Sequence, residues 1–471
     1  MKKHILMSVM LLVASLCYVD AYAAEKPVNE VAIVLNGTSI GSNAYINNDT
    51  VYLPIRAACE ALGYQVGWKL ENGSTLIPVT KANDEIILNL TDEKINDNGH
   101  SYYAYRNNEV ANFLVYEGKA YMESGLFSEV FAVNVDYNTG AKQVILTSID
   151  ENNITISTVK KDVEREDVSI NLQYPQISGL SNAAIEAKIN TVFKDAALDA
   201  EKEGLRNAAE LNASGYIGGA KVGTDFNYRV KYNQNELLSV ITYNYQYAGG
   251  AHGMTVENSY TFDLDTGEAL KLSNLFNQDT KYTEFINAFI RSEIDKRIAT
   301  GAVVELAPFK TVGDNPGFYL SNDSIVFYFQ QYEYFPYAAG IQEFAIKFSD
   351  MKDKFSKKYD FLYEKPIVLH AGTENILSVG NIGRVVLKGN PSTGYEWHYT
   401  IADSSIVNLS SQNYIPDSTA SGVVGSGGTY YWDFKALQSG QTTITFQYYR
   451  EWESKSPAGQ GNTAVYTVRV N

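Results

Sequence analysis

A chain of 471 residues is long enough for roughly two to four domains, and at 45% hydrophobic and 20% charged its composition excludes a disordered polymer. The formal net charge of −16 argues against nucleic acid or an anionic membrane surface as a partner. With 35 tyrosines and 13% aromatic residues, strands should dominate, because aromatic side chains suit pleated, half-buried surfaces.

The N-terminus runs Lys2-Lys3, an apolar stretch from Ile5 to Cys17, then Ala21-Tyr22-Ala23. This charged, hydrophobic, small-residue order is that of an export signal over residues 1–23, and a secreted or cell-surface location is expected. The stretch is too short for an anchor, and no later one approaches the roughly 20 apolar residues of a spanning helix. Leu16 before Cys17 speaks against lipidation. Cys59 is then the one remaining thiol, so no disulfide forms within the mature chain and each domain must rest on its own core.

Residues 24–150 contain an internal repeat. The first copy reads Val51-Tyr52-Leu53-Pro54, a short helix over Ala57 to Leu62, Gly63 to Trp68, and a strand from Thr75 to Val79. The second reads Lys119 to Glu123, a helix over Leu126 to Phe131, then Val133 to Tyr137 and Gln143 to Thr147. Strand, helix and hairpin in duplicate resemble the N-terminal stalk domain of copper amine oxidases, with Met122-Glu123 where Val-Pro is usual. The resemblance implies a structural α+β module and no copper site.

The charged, core-poor residues 149–168 read as a linker. Residues 165–355 then form a second α+β unit. Ser181 can cap a helix whose Ile185, Ile189, Val192, Phe193 and Ala196 recur at helical spacing. A further helix carries Ile286, Phe289, Ile290 and Ile294 and stops at Gly301. Strands are expected over Leu237 to Tyr247, Glu257 to Leu264 and Ser324 to Phe329. Three segments, Gly249-Gly250-Ala251-His252-Gly253, Phe262 to Gly267, and Tyr332-Glu333-Tyr334-Phe335-Pro336-Tyr337-Ala338-Ala339-Gly340, resemble the domain shared by the lysozyme-sensing anti-sigma-factor ectodomain and a peptidoglycan deacetylase. That resemblance implies binding of lysozyme or a role at the cell wall. His252 reads as structural, since no zinc-ligand spacing surrounds it, and Gly249-Gly250 lacks the Lys-Ser/Thr of a phosphate loop.

Residues 356–366 read as a second junction. From 366 to 471 the pattern is strands and turns: Ile376 to Val379, Gly383 to Leu387, Tyr395 to Tyr399, Thr429 to Phe434, Thr442 to Tyr448 and Ala464 to Val470. Six or seven short strands with turn signals predict an all-β immunoglobulin-like sandwich. The chain is therefore expected to be multidomain, with two α+β domains before the sandwich.

Three loops punctuate that sandwich: Asn390-Pro391-Ser392-Thr393-Gly394-Tyr395 with Trp397 beyond it, Gly425-Ser426-Gly427-Gly428 followed by Thr429, and Arg450-Glu451-Trp452. Each alone is an ordinary turn, linker or strand end. In this order on a small β domain they resemble the chagasin family of papain-type cysteine protease inhibitors, with Ser392 for Thr and Glu451 for Pro. The resemblance implies that the three loops enter a protease cleft and that Thr393 makes polar contacts near its catalytic histidine. Glycines 425, 427 and 428 offer no side chain to obstruct backbone approach. Tyr395, Trp397, Arg450 and Trp452 are types enriched at binding hot spots. Glu451 lacks the φ restraint of proline, so a less preorganised loop and weaker binding are expected there. No nucleophile, metal or cofactor is called for, and Cys59, in an apolar helical stretch, reads as a buried structural thiol. The other binding reading places the activity in residues 165–355, directed at lysozyme or peptidoglycan. In a third, the sandwich is a structural spacer.

Overall fold

The computed structural model describes residues 29–36, 38–47, 50–81, 84–104, 112–138, 142–149, 151–214, 221–363, 366–416, 427–450, 452 and 463–471. The expected export signal, residues 1–23, and the loop residues Gly425, Ser426 and Glu451 lie outside them. Two α+β units precede a C-terminal β-sandwich, the multidomain architecture that the sequence predicts.

In the first unit both copies of the repeat run from strand directly into helix, Thr50–Pro54 into Ile55–Ala61 and Lys119–Glu123 into Ser124–Phe131. The two strands pair antiparallel with Leu53 opposite Met122 in a seven-stranded sheet that also takes the hairpin of the second copy, whereas the hairpin of the first copy, Gln65–Val66 with Ser74–Lys81, lies in a separate six-stranded sheet. Ile55, Ala58 and Cys59 of one helix and Leu126, Phe127 and Phe131 of the other fill a common core. Burial pushes the Cys59 thiol up, out of the thiolate range. Glu123 has a local use: its carboxylate accepts from the Gly125 and Leu126 N–H groups, both at 2.8 Å. It thereby caps its helix, whereas Pro54 gives the first helix no side-chain cap.

In the second unit a six-stranded sheet extends from Thr155–Glu164 at one edge to Glu268–Ala269 at the other. The helix Ala183–Ala213 lies on it, longer than the apolar spacing suggested, and Asn182 rather than Ser181 accepts from its first N–H groups. Ile189, Phe193, Ala197, Ala200, Gly204 and Ala208 form its buried face. The small residues let helix and sheet approach closely, since a Cβ on Gly204 would lie 2.2 Å from Thr224 Oγ1. The helix Tyr282–Ala299 buries Ile286, Ile290 and Ile294, and Gly301 beyond it takes φ +76°, as expected of its stop.

Two expected connectors are part of this fold. Half of the supposed linker 149–168 is the strand Thr155–Glu164, paired antiparallel along its length with Val168–Ser178. It is an edge strand, where exposed charges such as Lys161 and Asp162 discourage pairing with other chains, and its polarity hid it. In the supposed junction 356–366, Tyr359 and Leu362 are buried with Phe276 and Phe355 in the core of the second unit.

The first two units are joined through buried polar contacts. Glu129, on the helix Ser124–Phe131, accepts from Arg229 Nε at 2.6 Å and from Lys231 Nζ at 2.9 Å, both on the strand Val222–Gln234. The three side chains are only 6–13% exposed. His100 Nε2 lies 2.7 Å from Asn227 Oδ1, and its ring stacks on Tyr228 at 4.1 Å. Burial lowers the His100 pKa to about 4, with Arg229 and Lys160 adding to the effect and the Asn227 contact opposing it. Because this pKa is below the unfolded value of 6.5, the interface holds the neutral ring. The resulting stability is fully present above pH 6.5 and is lost as pH falls towards 4. The melting temperature should therefore drop more steeply between pH 7 and 4.5 in the wild type than in His100→Gln; equal slopes would rule this out. Asp97, pushed up to about 6 by burial and by Asp84 and Glu151, acts with the opposite sign in both proteins and cancels in the comparison.

Among the described residues the sandwich has eight strands: β1 (Ile367–Val368), β2 (Glu374–Leu377), β3 (Ile382–Gly389), β4 (Glu396–Ile401), β5 (Val407–Pro416), β6 (Gly428–Ala436), β7 (Gly440–Tyr449) and β8 (Thr463–Val470). They form two sheets, in the orders β1-β3-β6-β5 and β2-β8-β7-β4. Val385, Trp432, Phe434, Ile444, Phe446 and Tyr466 meet in the core between them. Strand β5 escaped the sequence reading because it is a polar edge strand with a register shift between Leu409 and Ser411. On the outer face, Arg384 of β3 grips Asp433 of β6 through two bonds of 2.7 and 2.9 Å.

Candidate functional site

Strand pairing alone brings the described ends of the three loops together. β3 ends at Gly389 opposite Gly428, the first residue of β6, and β4 begins at Glu396 opposite Tyr449, the last residue of β7. The Asn390–Tyr395 loop bridges β3 and β4. It therefore has the return of the glycine loop on one side and the start of the Arg450 loop on the other.

The first loop is held largely by its own short polar side chains. Asn390 Oδ1 accepts from the Ser392 N–H at 3.1 Å and the Ser392 hydroxyl at 2.6 Å, while the Thr393 hydroxyl donates to Asn390 O at 2.6 Å. Pro391 opens a single 3₁₀ turn that closes at Gly394, whose φ of +79° favours glycine. Pro391, Ser392 and Thr393 project into solvent, and Tyr395 is half-buried.

Arg450 ties the third loop to the first. Its Nε donates to Thr393 O at 3.0 Å and its guanidinium lies 4.4 Å from the centre of the Tyr395 ring. Trp452 is 71% exposed, yet its indole covers Gly394 so closely that a Cβ there would come within 2.4 Å of it. Trp397, in contrast, packs against the sandwich core, and its indole N–H donates to Lys388 O at 2.9 Å. In the glycine loop, Gly427 is half-buried, while Gly428 and Thr429 are buried within β6, between β3 and β5.

The sequence reading passed over Tyr448. Its hydroxyl accepts from the Asn390 N–H at 2.7 Å, and its ring contacts those of Tyr395 and Trp397 at 5.4 and 4.9 Å. Alternation in β7 placed it on the face of Ile444 and Phe446, but nothing local marks a contact with the loop that connects the two sheets. In the second unit, the Gly249 to Gly253 and Tyr332 to Gly340 segments also meet. His252 stacks on Tyr337 at 3.9 Å, and Tyr332 lies 5.8 Å from Tyr337. Among the described residues, no group of three or more His, Cys, Asp or Glu side chains is placed to hold a metal ion.

The model of the chagasin family of peptidase inhibitors, I42, matches residues 376–470. Amoebiasin-1 of Entamoeba histolytica is 32% identical over 95 residues, which cover 20% of this chain and 85% of that protein. Through this domain the chain belongs to the chagasin family. Before the chagasin domain, residues 34–146 match the copper amine oxidase N-terminal domain, residues 162–255 the deacetylase PdaC model, and residues 273–349 a family of unknown function, DUF3298. This is the order of modules that the sequence resemblances imply. Peptidoglycan-N-acetylmuramic acid deacetylase PdaC of Bacillus subtilis is 22% identical over 220 residues, 46% of this chain and 44% of the deacetylase. Anti-sigma-V factor RsiV of the same organism is 25% identical over 229 residues, 47% of this chain and 76% of the factor. The chain thus spans less than half the length of the deacetylase, whereas the chagasin domain corresponds to most of Amoebiasin-1.

Proposed function

We propose that this chain is an exported inhibitor of papain-type cysteine proteases that acts as a binder and not as an enzyme. The observation that carries the reading is the convergence of the Asn390 and Arg450 loops, beside the Gly427-Gly428 return, at one end of a chagasin-family domain. The cleft of such a protease holds a thiolate and an imidazolium, and a blocker must come close without presenting a scissile carbonyl in attack geometry. Gly427, half-buried at the return of the glycine loop, carries no side chain to obstruct backbone approach to that cleft. Thr393, exposed at the tip of its turn, contacts the imidazole side, and Trp452, with Tyr395 behind it, supplies apolar anchorage.

The test is titration of papain with the full chain. Inhibition with one-to-one stoichiometry is expected, and Trp452→Ala should weaken it about 30-fold, the effect of losing one hot-spot side chain of about 2 kcal/mol. Absence of inhibition by folded protein at micromolar concentration would sink the reading.

A second reading concerns residues 165–355, as a surface that recognises lysozyme or peptidoglycan at the cell wall. It draws support from the stacking of His252 on Tyr337, which joins two of the three segments that carry the anti-sigma-factor resemblance. Pull-down of the chain with lysozyme and with peptidoglycan tests it, and retention on neither would discard it.

A further inference from the structure

We infer that Tyr448 is the positioning residue of the inhibitory end, setting the Asn390–Tyr395 loop in its binding conformation without reaching a protease itself. This rests on the inhibitor reading and adds to it a residue outside the three signature loops. The geometry is a clamp on both ends of one loop. Where β3 stops pairing at Gly389, the next backbone N–H, that of Asn390, is bonded across the sandwich by the Tyr448 hydroxyl at 2.7 Å. At the far end of the loop, the Tyr395 ring lies 5.4 Å from the Tyr448 ring and 4.4 Å from the Arg450 guanidinium.

Tyr448 is itself well placed to hold such a contact. It sits opposite Trp397 in the β4–β7 ladder, with ring centres 4.9 Å apart. On the β3 side, a Cβ added at Gly389 would meet its ring at 3.3 Å. One side chain thus joins the loop's entry, its exit, and the strands of both sheets that launch it. The bonds among Asn390, Ser392 and Thr393 fix the shape of the turn, and Tyr448 fixes where that turn stands relative to the sandwich.

A residue that positions a loop and one that touches the partner leave different kinetic signatures. Loosening the loop lowers the fraction of molecules ready to bind and so slows association, whereas loss of a direct contact chiefly speeds dissociation. Tyr448→Phe keeps the ring and removes the hydroxyl. It should slow association with papain about fivefold, the effect of one neutral hydrogen bond, and leave dissociation within about twofold. Trp452→Ala should do the reverse. In the free protein, amide exchange across Asn390–Tyr395 should quicken about fivefold in Tyr448→Phe while exchange in β7 and β8 stays unchanged.

Each result bears on a different statement. If the wild type inhibits and Tyr448→Phe associates and exchanges like it, the inference is overturned and the inhibitor reading stands. Faster dissociation alone would likewise overturn it, by making Tyr448 a contact residue. If the wild type does not inhibit, the inhibitor reading falls, and the exchange experiment still decides whether Tyr448 orders the loop.

Discussion

Replacing Glu129 by alanine should destabilise the protein by about 3–5 kcal/mol, the range for leaving a buried charge without its partner. The expectation follows from the geometry at the contact between the first two units. One carboxylate faces Arg229 and Lys231 together, and none of the three side chains is more than 13% exposed. Burial works against both cations. For Arg229, Glu129 together with Tyr243 and Tyr102 more than offsets it, whereas Lys231 stays lowered by burial and by Arg229. Without Glu129 the two like charges face each other, and Lys231 should shed its proton. Glu129→Gln keeps the volume and an acceptor oxygen and should cost less. Urea denaturation measures both, and a loss below about 1 kcal/mol in Glu129→Ala would show that water replaces the carboxylate at little cost. A further sign is expected in the shape of the transition. The variant should lose the first unit before the second.

Gly394→Ala should weaken protease inhibition by about 100-fold, or about 3 kcal/mol. Two effects add. A residue with a Cβ is strained by about 1–2 kcal/mol at left-handed φ, and Gly394 stands at +79°. The new methyl would also lie 2.4 Å from the Trp452 ring, so the indole must leave its seat or the turn must open. Either movement separates the first loop from the third. Comparison of inhibition constants for the wild type, Gly394→Ala and Trp452→Ala, each checked for folded content by circular dichroism, reads the effect. A Gly394→Ala protein that inhibits like the wild type would mean that the Trp452 seat is irrelevant to binding.

The shape of the Asn390–Tyr395 turn was legible in the sequence to the extent that its geometry is local. Asn390, Pro391, Thr393 and Gly394 shape a turn through their own φ preferences and short-range hydrogen bonds, and such effects are written in neighbouring residues. The repeat of the first unit was legible for a similar reason, since each copy runs strand into helix within a dozen residues. What depended on packing at a distance was hidden. Tyr448 matters through a backbone group 58 positions away, in the loop that leaves the other sheet. Ala197, Ala200, Gly204 and Ala208 continue a helix face that carries almost no hydrophobic contrast, so the periodicity faded at Ala196 although the helix runs to Ala213. Lys160, Lys161 and Asp162 look like connector until the edge position of their strand is known. The weakness expected at Glu451 concerns a residue outside those described, but Arg450 and Trp452 on either side of it are both engaged with the first loop.

The sharing of Glu129 by two cations on the neighbouring unit also limits how this protein can be cut for study. A fragment begun after residue 150 would retain Arg229 and Lys231 and lack the carboxylate that masks them. On an otherwise acidic molecule, that newly bared basic spot would attract heparin, nucleic acid and anionic resins. Binding measured on such a piece would report the cut and not the protein, so any assay of the second unit needs the first still attached.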